Sequence, residues 1–268
     1  MNRRGWFLPI AAGLGFFFLY APIVSLVVFS FNANRLVTVW SGFSTKSYAS
    51  LWDDPQLLPA AGLSLQIAAV AASIALVLGT LCAYALVRFR RFRGKTVLQA
   101  TVSAPLVMPD VITGLALLLM FVAMQSLIGW PAGRGMLTII LAHSTFCTAY
   151  VTVVVQSRLG DLDLSLEEAA MDLGATPVRV FFDITLPIIA PALISGWLLA
   201  FTLSLDDLVI ASFVSGPGSS TLPMVIFSKI RLGVAPEVNA LATIIIGVVA
   251  SGVIVATILQ MRRKPARV

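Results

Sequence analysis

Three carboxylates lie inside apolar stretches of this chain: Asp110, Asp206 and Asp207. A charged side chain at the centre of a membrane span costs about 2.5–3.5 kcal/mol on insertion scales, so such groups commonly face a pathway, a partner or water. All 18 lysines and arginines fall in the polar segments between those stretches. A compensating cation is therefore expected from a loop, a partner subunit or a bound substrate. The chemistry implied is reversible binding of a cation, not the making of bonds. The structural alternative for each acid, an internal ion pair or a protonated carboxyl, is weakened by that charge placement. Asp110 closes the run Ala104-Pro-Leu-Val-Met-Pro-Asp110. Pro109 has no N–H to give the carbonyl of Pro105, so a kink with a freed acceptor is expected there. Irregular backbone at membrane depth is tolerated where it lines a cavity or is buried in protein. Asp206 and Asp207 are consecutive and diverge by about 100° on a helix, so both cannot face one pore equally. One lines the path while the other caps or packs.

The elements that must hold these acids are membrane helices. Of 268 residues, 59% are hydrophobic and only 11% charged, against about 25% charged in a soluble domain. Six stretches are long enough to span, given a need for about 20 mostly apolar residues: 6–31, 60–87, 97–123, 136–155, 188–214 and 239–261. The fold class expected is an all-α integral membrane protein with six transmembrane helices in one domain covering 1–268. The first stretch is too long for a signal-peptide core and lacks a convincing cleavage site, so it is expected to be retained.

Charge sets the orientation. Arg3, Arg4, Arg88, Arg90, Arg91, Arg93, Lys95, Arg158, Arg179, Arg262, Arg263, Lys264 and Arg267 fall on one side, 13 in all. Arg35, Lys46, Arg134, Lys229 and Arg231, 5 in all, fall on the other. The positive-inside rule places both termini and the 158–187 loop in the cytoplasm. The net charge of +6 thus reads as lipid-headgroup contact at span ends, with no nucleic acid implied. The outer loop 32–59 carries Trp40, Tyr48 and Trp52, rings suited to the membrane interface. The outer loop 215–238 is rich in glycine and proline. Cys82 and Cys147 form neither a disulfide framework nor a metal site. His143, the single histidine, reads as a packed or hydrogen-bonded core residue, because a metal site needs several partners. Packing is also the reading for Trp130 and Trp197, over stacking on an amine.

The run Glu168–Pro187, EAAMDLGATPVRVFFDITLP, is a polar insertion between two spans. Ser165 and Glu168 have capping-box spacing. The helix they would open places Leu166, Ala169, Ala170 and Leu173 on one face and Glu167, Glu168 and Asp172 largely on the other. Gly174 is expected to end it in the left-handed conformation. Thr176 would cap a second short helix with Pro177 at its first position. Val178, Phe181 and Phe182 form that helix's apolar stripe, and Arg179 and Asp183 pair at i, i+4.

The spacing of this run, E-A-A, three residues, Gly, nine residues, Ile-x-Leu-Pro, resembles without departure the EAA motif of ABC importer permeases. The residues are Glu168, Ala169, Ala170, Gly174, Ile184, Leu186 and Pro187. The resemblance implies a type I importer permease fold in which the first helix of the loop is a coupling helix, seated in a groove of an ATPase subunit. The stretches APLVMPDVITG (104–114), SLDDLVIASFVSGPG (204–218), PEVNALAT (236–243) and WSGFSTKSY (40–48) resemble permease subunits of bacterial polyamine importers. The putrescine system is the most similar, and the spermidine/putrescine permeases come next. What this implies is a subunit without catalytic residues or cofactor, in the bacterial cytoplasmic (inner) membrane. Its partners would be two ATPase copies, a homologous second permease, and a periplasmic or surface-tethered polyamine-binding protein. The substrate would pass Asp206, Asp207 and Asp110. The chain has no G-x-x-x-x-G-K-S/T phosphate loop, so ATP is expected on a partner. It has no H-E-x-x-H or G-x-S-x-G either, which leaves an intramembrane hydrolase little support. A permease of this class for another substrate (one preferring spermidine, or ferric iron) is an alternative. A secondary transporter or channel is another, and it leaves Glu168–Pro187 unexplained.

Overall fold

In the computed structural model, described for residues 4–34, 39–89, 91–232 and 236–263, the chain is helical nearly throughout. Arg3, Arg35, Arg90, Lys264 and Arg267, counted above for orientation, lie outside the described residues. The chain divides into two compact units. One takes the described residues of Met1–Leu58 and Ile226–Val268, the other those of Pro59–Val225.

In the first unit, α1 (Arg4–Phe29) leaves its apolar side chains exposed along its length. This is what a lipid-facing helix requires. Ser30 and Asn32 organise the turn that follows. The Ser30 hydroxyl donates to the Val27 carbonyl at 2.6 Å and shares a 2.7 Å hydrogen bond with the Tyr48 hydroxyl. Asn32 Nδ2 donates to the Val39 carbonyl at 2.7 Å, and its Oδ1 accepts from the Ser41 amide at 3.0 Å. Phe31 packs on Phe43 and Tyr48, with centroids at 5.4 and 5.1 Å. Tyr48 belongs to α2 (Lys46–Trp52), and both α1 and α2 pack on α12 (Pro236–Arg263). Asp54, past the end of α2, accepts from Lys229 Nζ at 2.7 Å.

The second unit is built around α6 (Met136–Gly160), the most buried of the apolar helices. It packs on α4 (Lys95–Val107), α5 (Asp110–Ile128), α9 (Leu186–Asp206) and α10 (Val209–Val214), and α3 (Leu57–Arg88) meets it where Gly79 faces Val151. Between α6 and α9 lie α7 (Leu164–Asp172), α8 (Pro177–Val180) and a π-helical turn (Phe181–Thr185). The start of α11 (Leu222–Leu232) docks through the Leu222 amide, which donates to Ser64 Oγ at 2.7 Å. The core gathers Ile67, Phe121, Ile139, Val151, Ile189 and Ile210. Two glycines permit the helix crossings, as small residues do in membrane bundles. A Cβ on Gly79 would sit 2.7 Å from Val151 Cγ1, and one on Gly114 would sit 2.7 Å from Phe213 Cδ2 and 3.3 Å from Ile210 Cα.

Two expected spans are interrupted. The stretch 97–123 is split between α4 and α5 by extended Met108 and Pro109. The ring of Pro109 disfavours the helical conformation for the residue before it. The apolar helix long enough to cross is Asp110–Ile128. The stretch 188–214 begins earlier than expected, as one helical run from Pro177 to Asp206, and it breaks at Asp207, where ψ is 124°. Five helices among the described residues are long and apolar enough to span, and α12, with a shorter apolar part at Pro236–Ser251, supplies a sixth helix of 28 residues.

Candidate functional site

The first candidate region is the α7–α8 loop. Asp163 caps α7, its carboxylate accepting from the Ser165 amide at 3.0 Å. That amide and the Ser165 hydroxyl hold the exposed Asp163 carboxyl below the usual carboxylate range. This corrects the capping box expected of Ser165 and Glu168. A carboxylate accepts the N-terminal amides more strongly than a hydroxyl does, and the helix starts at the acid. Gly174 ends α7 at φ +91°. Its amide donates to Met171 and the Ala175 amide donates to Ala170, at 2.9 and 3.1 Å, the pattern of a Schellman end. Thr176 caps α8 by accepting from the Arg179 amide, Pro177 opens it, and Arg179 pairs with Asp183 at 3.1 Å, as expected.

The apolar face of this loop is uncovered. Leu173 is 90% exposed, Val178 68% and Phe182 58%, and Leu166 and Met171 join them. Phe181 turns inward, edge-on to Tyr84 at 5.1 Å. Of the motif residues, Glu168, Ala169, Gly174 and Pro187 are exposed and Ala170, Ile184 and Leu186 half-buried. Ala170, Leu173, Gly174, Arg179 and Ile184 help line a recess of about 310 Å³.

Glu167 departs from expectation. It was assigned to the outward polar face, yet it is buried and its Oε1 accepts three hydrogen bonds: from Arg88 Nε at 3.2 Å, Arg88 Nη2 at 2.9 Å and Thr185 Oγ1 at 2.7 Å. Arg88 Nη1 also donates to the Leu159 carbonyl at 3.3 Å. Burial of a carboxylate is tolerated here because its charge is paired and Oε1 accepts three hydrogen bonds.

The second region is formed by the two helix breaks. Asp110 starts α5, exposed, where the helix dipole favours a carboxylate. Asp206 ends α9 and is exposed. Asp207 caps α10 instead, accepting from the Ala211 amide at 2.7 Å and the Ile210 amide at 3.3 Å. Of the consecutive acids, one caps, as expected, and the other is exposed. The two breaks are neighbours. Gly114, one turn past Asp110, packs on Ile210, one turn past Asp207.

Asp207 also has an internal hydrogen-bond partner. His143 Nε2 stands 3.2 Å from Asp207 Oδ2, and His143 Nδ1 shares a 2.7 Å hydrogen bond with Ser204 Oγ. His143 is fully buried, so the expectation of a hydrogen-bonded core histidine holds. Asp207 thus has a hydrogen-bonding partner inside the spans, a contact that the placement of lysines and arginines gave no sign of. The signal available in sequence was a lone imidazole in one apolar stretch and an acid in another, with nothing to pair them. Trp197 stacks on Phe201 at 5.2 Å and donates to Ser73 Oγ at 3.1 Å, a packing role.

Residues 75–265 match the family of binding-protein-dependent transport system inner membrane components, and the chain belongs to that family. It is a multi-pass inner-membrane protein. Over 266 residues it is 64% identical to the putrescine transport system permease protein PotI of Escherichia coli (strain K12), which covers 99% of this chain and 94% of that one. Over 229 residues it is 45% identical to the spermidine/putrescine transport system permease protein PotC of Haemophilus influenzae, covering 85% and 86%. Among solved structures, a bacterial ABC transporter importing alginate superposes with a TM-score of 0.71 at 18% identity, covering 98% of this chain and 99% of that one. The MetNI methionine ABC transporter gives 0.62 at 16%, covering 80% and 97%. These two likenesses establish the fold, that of ABC importer permeases.

Proposed function

We propose that this chain is a permease subunit of an ATP-driven importer of polyamines, putrescine foremost, forming the translocation path with a second, homologous permease. The observation that carries the reading is the 64% identity, along almost the whole of both chains, to a putrescine transport permease. The geometry supports it. The exposed face of Leu166, Leu173, Val178 and Phe182 has the character of a contact for an ATPase subunit, on the segment that carries Glu168, Ala169, Ala170 and Gly174, with Ile184, Leu186 and Pro187 leading into α9. No phosphate loop occurs in the sequence, so ATP is bound and hydrolysed on that partner, present in two copies. The count of 13 basic residues against 5 puts both termini and this loop on the cytoplasmic side. A periplasmic or surface-tethered binding protein delivers the polyamine to the opposite face.

Within the spans, Asp206 is the stronger cation site. Its carboxylate stands at the C-terminal end of α9, where the helix carbonyls add negative potential. Asp110 offers a second carboxylate at the neighbouring break. Asp207 holds the break open and lends charge to the same path. Interrupted helices bearing acids are where membrane transporters commonly place cation sites.

The test is uptake of radiolabelled putrescine, with spermidine in parallel. The cells lack their own polyamine importers and express this chain with its binding protein, partner permease and ATPase. Saturable, ATP-dependent putrescine uptake is expected. Spermidine uptake without putrescine uptake would move the assignment to the spermidine/putrescine type. Uptake of neither would overturn the polyamine reading, and failure of an ATPase subunit to co-purify would overturn the ATP-driven one.

A further inference from the structure

The buried face of α7 is as specific as its exposed one. Glu167 lies on it, and the Glu167 carboxylate gathers groups from separate parts of the fold. Arg88 is the last residue of α3, Leu159 lies in the last turn of α6, and Thr185 closes the π-helical turn that opens into α9. Glu167, Leu159 and Thr185 are buried. The Arg88 and Glu167 side chains retain 9% and 8% of their exposure. The π-helical turn matters to this arrangement. A single wide turn shifts the phase of a helix by one residue, and here it presents Thr185 to Glu167 while Phe181 packs on Tyr84. A surface ion pair would slip under load. One that is desolvated, with three donors on a single oxygen, leaves its partners only one arrangement of low energy.

Resting on the permease reading above, we propose that Glu167, with Arg88 and Thr185, is a positioning cluster. It makes the coupling helix move as one body with the ends of α3, α6 and α9, so that ATPase motion reaches the spans without being lost in the loop. Glu167 contacts neither substrate nor nucleotide in this scheme. It acts through the register it imposes on α7.

The test measures putrescine transported per ATP hydrolysed by the complete importer in proteoliposomes, with the binding protein present. Glu167→Gln keeps the shape and the Thr185 hydrogen bond but removes the charge. The double substitution Arg88→Met with Glu167→Met removes both charges and leaves neither stranded. A transport-to-hydrolysis ratio at least tenfold below wild type is expected for each, in complexes that still contain every subunit. A ratio within twofold of wild type in an assembled double variant would overturn the proposal, since a cluster that merely stabilises changes the amount of complex and not its coupling. If the double variant does not assemble, Thr185→Val decides, with a fall of about threefold expected and an unchanged ratio overturning it. Should the wild-type complex carry no putrescine, the polyamine reading fails alone. The cluster is then read from stimulation of ATP hydrolysis by the binding protein, which these variants are expected to lose.

Discussion

The α7–α8 loop and the α9–α10 break each bury an acid against a nitrogen base, and they do so to opposite ends. In the loop, Glu167 meets Arg88, always charged, with Thr185 completing the set. At the break, Asp207 meets His143, with two amides of α10 on the same carboxylate. The first arrangement spans the ends of several helices and ties them together. The second sits where one helix stops and another starts, and it leaves Asp206 beside it open. The loop's pairing joins a connector to the ends of α3 and α6 and to the π-helical turn before α9, and the break's pairing sits at a gap in regular structure. An acid buried against a nitrogen group inside this protein therefore has no single meaning; what differs is whether the acid sits within a helix, as Glu167 does, or at an interruption, as Asp207 does.

The largest effect expected from disturbing this contrast is in the loop. Glu167→Ala strands the Arg88 guanidinium and should destabilise the protein by about 3–5 kcal/mol, read as a lowered unfolding temperature of the purified complex. Asp206→Asn, at the break, should leave that temperature near wild type. It should lower putrescine uptake about tenfold, equivalent to about 1.4 kcal/mol, with every subunit still co-purifying. Equal loss of stability in both variants would erase the distinction between connector and open site. Gly174→Ala should cost about 1–2 kcal/mol, because a Cβ at φ +91° meets the backbone, and it should weaken retention of the ATPase before it touches substrate affinity.

The smallest effect is a control in the other compact unit. Burial pushes the Asp54 carboxyl up, but the Lys229 hydrogen bond and the amides of Leu57 and Gln56 outweigh it and leave it below its ordinary value of 3.8. A depressed folded value means the pair's contribution is complete above that ordinary value and fades as the pH falls through the lower, folded one. Asp54→Asn should therefore cost no more than about 1 kcal/mol at neutral pH, and the difference from wild type should close on acidification below pH 3.8. Growth of the difference with acid would contradict the pairing.

Much of the loop was readable in the chain because its determinants are local. The Gly174 turn, the Thr176 cap, Pro177 and the Arg179–Asp183 pair each act through near neighbours in sequence, and each stands where spacing placed it. The cap of α7 was misplaced, since Asp163 and Ser165 are both good capping residues and the choice depends on where α7 begins. The kink at Pro109 was legible from the missing N–H, although its consequence was a full break and not a bend. The split between Asp206 and Asp207 was legible as well, but not which acid would cap, because that requires knowing that α9 ends at Asp206.

Hydropathy along the chain was enough for an all-helical membrane protein, and charge placement suggested its orientation, since both depend on transfer of each stretch from water to lipid and not on any neighbour. The spacing of Glu168 to Pro187 carried the family. Helix packing alone brought Glu167 to Arg88 across 79 residues and His143 to Asp207 across 64. The rotation of each helix about its own axis is set by the side chains it packs against. A buried pairing exists only once those rotations are made.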